Sequence, residues 1–91
     1  MCIRDRKKVA AIAELSDTYL THHEEPQIAS HLLSSQPHGM CVECFANPAR
    51  DPLWAGMLIE GPKVEDGFIH ISKNAGFGVK LDPTAVDNFQ I

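Results

Sequence analysis

Ninety-one residues, 44% apolar and 22% charged, allow one small globular unit and argue against wholesale disorder. The formal charge of −4, with Lys and Arg scattered apart from the Arg4–Lys8 run, gives no electrostatic case for nucleic acid, and no apolar stretch approaches the ~20 residues that cross a bilayer. Three cysteines and a charged start, MCIRDRKK, predict a reducing, cytoplasmic setting and no disulfide framework.

The first six residues, MCIRDR, fit nothing that follows. They look like a leader that recurs in translated metagenomic assemblies, so residues 1–6 are read as non-native. Residues 7–16 (KKVAAIAELS) carry Val9, Ile12, Ala13 and Leu15 near helical spacing, with alanine between them. Residues 18–22 (TYLTH) are β-branched and aromatic and predict a short strand. Glu24, Glu25 and Pro26 read as a helix start, since acids suit the positive end of the dipole and proline suits the first turn. Ile28, Ala29, Leu32 and Leu33 then form one apolar face, and Pro37 and Gly39 stop the helix.

Residues 40–45 (MCVECF) form an apolar run broken only by Glu43, as in a buried strand. Residues 7–45 thus read helix–strand–helix–strand, the alternation of an α/β chain with parallel strands. Two such strands cannot cover both faces of a parallel sheet, so the segment asks for a larger partner structure. Beyond it, residues 46–56 (ANPARDPLWAG) read as a loop. The apolar runs MLI and FIHI flank a hairpin turn at Asp66-Gly67. Residues 73–78 are glycine-rich, and Asp82 and Pro83 predict the N-cap and first position of a last helix.

Two of these residues carry chemistry. His23 and Glu43 each sit where a predicted strand ends, and the carboxyl ends of successive parallel strands are where α/β barrels keep catalytic groups. His22 and His23 alternate to opposite faces, so only one of them points into such a site. A glutamate between Val42 and Cys44 wants a reason, because an unpaired buried carboxylate costs several kcal/mol, on the order of 3–5. His38, Cys41 and Cys44 have the look of half a zinc site. No second pair follows, and alternation separates Cys41 from Cys44, so both cysteines read as small buried hydrophobes.

The segment THHEEPQIASHLLSSQPHGMCVECF resembles strand 7, helix 7 and strand 8 of an enolase-superfamily barrel. Residues 7–91 as a whole resemble the C-terminal end of the mandelate racemase and muconate lactonizing group, with acid-sugar dehydratases the nearest in look. The agreement runs through His23, the His31-Leu32-Leu33 pattern, Pro37, Glu43, the Asp-Gly turn and Gly76-x-Gly78 ahead of Asp82. Ala75 stands where members commonly have proline.

The resemblance implies an α/β fold class: a C-terminal fragment of a TIM-type (β/α) barrel, from about helix 6 to strand 8. Residues 7–45 would end the barrel, and residues 46–91 would form a small hairpin and tail packing toward a capping domain, with Trp54 the large side chain nearest the substrate. It also implies a Mg²⁺-dependent lyase that dehydrates a sugar acid through an enediolate. The spacing of the group picks His23 over His22 for proton transfer, a task suited to an imidazole near neutral pH. Glu43 would hydrogen-bond the substrate carboxylate as charge builds on it.

The metal-ligating carboxylates and the aspartate that orients the histidine lie on strands this chain does not contain, so the isolated chain is expected to be inactive. The implied partner is the sugar-acid substrate, with no nucleic acid and no membrane, and the whole protein is expected to form a homo-oligomer. A racemase or epimerase of the same superfamily uses the same histidine, and a small non-catalytic binding module is the alternative of a different class.

Overall fold

A computed structural model gives the architecture; it describes residues 2–45 and 47–90, without the side chains of residues 53 and 54. The chain divides into two compact units, Met1–Glu43 and Cys44–Ile91.

The first unit holds helix α1 (Ile3–Leu15), strand β1 (Leu20–His22), helix α2 (Pro26–Ser34) and strand β2 (Gly39–Val42). The helix–strand–helix–strand order is the expected one, and β1 and β2 pair in parallel, with Leu20 opposite Gly39, Thr21 opposite Cys41 and His22 opposite Val42. The register shifts between Leu20 and Thr21. The ladder runs past both strand ends: Leu20 N–H donates to the His38 carbonyl and Glu43 N–H to the His22 carbonyl, each at 2.8 Å. α1 begins at Ile3, ahead of the expected start at Lys7, so Arg4, Asp5 and Arg6 belong to its first turns.

α2 packs against both strands. Its buried residues are Gln27, Ala29, Ser30 and Leu33, so the apolar face turns toward Ala29 and Leu33 and leaves Ile28 and Leu32 half-buried. Ser30 is satisfied within the helix, its Oγ donating to the Pro26 carbonyl at 2.7 Å. Ala10 and Ala13 of α1 complete the buried apolar set among the described residues. Gly39 permits the close approach of α2 to β2, since a Cβ there would run into the Leu33 carbonyl.

β2 is shorter and wetter than the MCVECF run suggests. It ends at Val42, and Met40 and Cys41 are exposed. A two-stranded sheet covers only what α2 reaches, so an apolar sequence alone does not bury a strand.

The second unit contains helix α3 (Pro52–Met57), strands β3 (Leu58–Glu60), β4 (Lys63–Glu65), β5 (Phe68–His70) and β6 (Lys80–Leu81), and helix α4 (Pro83–Asn88). The expected hairpin at Asp66-Gly67 is present, with both residues at positive φ (50° and 80°), as a tight two-residue turn requires. Its first strand is Lys63–Glu65, however, and the MLI run instead supplies β3, which pairs antiparallel with β6. The expected loop over residues 46–56 contains α3. The Asp82 and Pro83 expectation holds: the Asp82 carboxylate accepts from Thr84 N–H at 2.9 Å, with proline in the first turn of α4. The Trp54 side chain lies outside the described residues.

Candidate active site

His23 follows β1 and Glu43 follows β2, so the parallel pairing sets both at the same, carboxyl-terminal edge of the pair. The structure brings them together: His23 Nε2 lies 3.3 Å from Glu43 Oε2. Both side chains are open, at 81% and 43% exposure. The expected burial of Glu43 is therefore not found, and a partner and solvent take the place of an apolar wall.

The turn after β1 aims this pair. Glu24 and Glu25 take positive φ (55° and 52°), a left-handed conformation that non-glycine residues adopt at a cost of roughly 1 kcal/mol or more each. Glu24 lies in the connection and Glu25 is the N-cap of α2, which begins at Pro26, so the helix start expected at these three residues is found. His22 supports the turn from the other face of the strand. Its Nδ1 lies 2.9 Å from the Glu24 carbonyl oxygen, and since a carbonyl only accepts, Nδ1 carries the proton. Alternation thus separates the two histidines as expected: His22 is half-buried against the turn, and His23 faces outward to Glu43.

Glu24 also enters the site. Donor atoms of His23, Glu24 and Glu43 all lie within 4.8 Å of one another, the grouping of metal-ligating side chains found among the described residues. His38, Cys41 and Cys44 form no such group. His38 Nε2 pairs instead with Asp17 Oδ1 at 3.1 Å, and its ring lies near Tyr19. Cys41 is exposed, against the expectation of a small buried hydrophobe. Cys44 is half-buried, and that desolvation pushes its thiol pKa up. Sequence reasoning singled out His23 and Glu43 and missed His22 and Glu24, whose parts in the site depend on a backbone turn without glycine to announce it.

Solved structures resemble this chain over most of its length. A mandelate racemase/muconate lactonizing enzyme from a marine actinobacterium, in complex with magnesium, is 43% identical, with a TM-score of 0.84 over 92% of this chain and 23% of its own. A second structure of such an enzyme from a marine actinobacterium is 44% identical, with a TM-score of 0.82 over 90% of this chain and 23% of its own. A third mandelate racemase/muconate lactonizing enzyme is 43% identical, with a TM-score of 0.84 over 92% and 23%. No family model and no curated protein matches the chain. In sequence and in fold alike, this chain is a segment of the mandelate racemase/muconate lactonizing group, as the pattern around His23 and Glu43 implies. It spans 23% of the length of the structures it matches.

Proposed function

We propose that the chain is the barrel end, from about helix 6 to strand 8, and the following tail of a Mg²⁺-dependent sugar-acid dehydratase. The observation that carries the reading is the His23–Glu43 pair, 3.3 Å apart at the carboxyl ends of two neighbouring parallel strands, in a chain 43% identical to a magnesium-bound member of the group. His23 is free to turn toward a substrate, since its side chain is open and its neighbour His22, not His23 itself, is tied to the backbone. In the reaction His23 transfers the proton, either taking one beside the substrate carboxylate or giving one to a departing hydroxyl. Glu43, on the next strand, hydrogen-bonds the substrate carboxylate as negative charge develops.

The described residues do not fit magnesium. Their one candidate donor set contains the His23 imidazole, whereas Mg²⁺ is a hard cation that takes oxygen ligands. The ion, which would polarise the substrate carboxylate, therefore belongs to carboxylates elsewhere in the whole enzyme, as the resemblance implies.

The test is a sugar-acid screen on the enzyme expressed from its whole reading frame. Mg²⁺-dependent loss of water is expected, with His23→Ala lowering kcat by about 10²–10⁴-fold and Glu43→Gln by about 10²–10³-fold. Inversion of a substrate stereocentre without loss of water would replace the dehydratase reading with a racemase or epimerase. Full activity in both variants would remove the roles given to His23 and Glu43.

A further inference from the structure

The same three side chains have a second chemistry. His23, Glu24 and Glu43 offer one nitrogen and two carboxylate oxygens, all within 4.8 Å of one another, on exposed or half-buried side chains. Zinc bonds of about 2.0–2.2 Å at tetrahedral angles set neighbouring donors about 3.3–3.6 Å apart. His23 Nε2 and Glu43 Oε2 already stand at 3.3 Å, which is one edge of such a tetrahedron. The backbone turn fixed by His22 holds Glu24 beside that edge. Three protein donors with one position left to water is a common form of an open zinc site, and an imidazole among them favours zinc over magnesium.

We propose that His23, Glu24 and Glu43 bind a borderline divalent cation of the zinc type. Binding uses the imidazole lone pair, so the ion competes with a proton for His23. Where the proposed function holds, this makes the site inhibitory, since the group needed for proton transfer is then occupied. That consequence rests on the proposed function; the binding does not.

The probe is Zn²⁺, titrated against a chromophoric chelator into the enzyme expressed from its whole reading frame, with Mg²⁺ present throughout to keep the magnesium site filled. Cys2, Cys41 and Cys44 are changed to serine so that thiols do not contribute. One ion per chain is expected, with affinity falling by at least about tenfold in each of His23→Ala, Glu24→Gln and Glu43→Gln. Asp17→Asn and Glu65→Gln, which alter two further His–carboxylate pairs, His38–Asp17 and His70–Glu65, are expected to leave it unchanged. Mg²⁺ at the same concentration is expected not to displace zinc. The inference is overturned if zinc does not bind, if binding survives the three site substitutions, or if it is lost with Asp17→Asn or Glu65→Gln. Binding with the expected pattern, followed by full activity of a His23→Ala whole enzyme, would uphold the zinc site and sink the catalytic reading alone.

Discussion

His22 and His23 differ by one position and by everything their side chains do. His22 spends its Nδ1 proton on the Glu24 carbonyl, bracing two consecutive left-handed residues, while His23 is left open to Glu43. Under the proposed function His22 is therefore a positioning residue. His22→Ala in the whole enzyme should cost about 0.5–1.5 kcal/mol of stability, the usual net value of one hydrogen bond. It should also lower kcat by up to about 10²-fold through misplacement of His23, with little change in KM. Thermal denaturation and steady-state kinetics check both, and an unchanged kcat would reduce His22 to a purely structural part. The sequence made His23 and Glu43 visible because each stands at the end of an apolar or β-branched run, but it could not show His22 and Glu24 at work. A strained turn built from two glutamates leaves no compositional mark. Cys44 gives a separate prediction at this scale. Burial raises its pKa, so the folded state holds the proton longer than the unfolded chain does. The stability this contributes is present below the unfolded thiol pKa and lost as pH rises through the folded one. Alkylation of Cys44 followed by mass spectrometry across pH should show a midpoint above the ordinary thiol value of 9.0; a midpoint at or below it would contradict the burial.

Among the elements, α4 shows local chemistry at its clearest. The Asp82 carboxylate accepts from Thr84 and Ala85 N–H groups, Pro83 fills the first turn, and Asp82 N–H donates to the Met57 carbonyl beside the β3–β6 pair. Asp82→Ala removes the cap and should cost about 1 kcal/mol, measured as a lowered midpoint in urea, whereas Asp82→Asn, whose side-chain oxygen still accepts, should recover most of that loss. The Asp-Pro signal that locates α4 also stands at Asp51-Pro52, where α3 begins at Pro52, but the surrounding prolines and glycine make the stretch read as a loop. The turn at Asp66-Gly67 was equally legible, because two positive φ values need those residue types. Its strand partners were not. Short antiparallel strands are chosen by cross-strand neighbours, and MLI lies nearer in apolar character to FIHI than KVE does, yet pairs with Lys80–Leu81. The parallel pair β1–β2 was read correctly in kind and wrongly in burial, since sequence reports what a strand is suited to face and not whether that neighbour is supplied.

At the scale of the molecule, the balance between apolar surface and available cover decides behaviour. The buried apolar residues among those described are Ala10, Ala13, Ala29 and Leu33, three of them alanines, while Leu15 is 89% and Phe68 73% exposed. Beside β1, a groove of about 360 Å³ opens between the helices, walled by Ile3, Val9 and Ala10 of α1, Leu20 of β1 and Leu32 and Leu33 of α2. Parallel strands are stable when both faces are covered and their edges paired; among the described residues β1 has one paired edge. Burial of apolar area is the main term opposing conformational entropy, and it is thin here. The isolated 91-residue chain should therefore bind ANS and unfold over a broad range without a sharp cooperative transition, as loosely packed states do. Under the proposed function it should also fail to dehydrate any sugar acid, because His23 and Glu43 alone would provide proton transfer and a hydrogen bond without the polarising ion. The whole enzyme should show the reverse: no ANS binding, a sharp transition, and activity that depends on Mg²⁺. A cooperative transition of the 91-mer without ANS binding would mean that the exposed apolar side chains are tolerated by a self-sufficient fold, and the reading as a small binding module would then take precedence over that of an enzyme's barrel end.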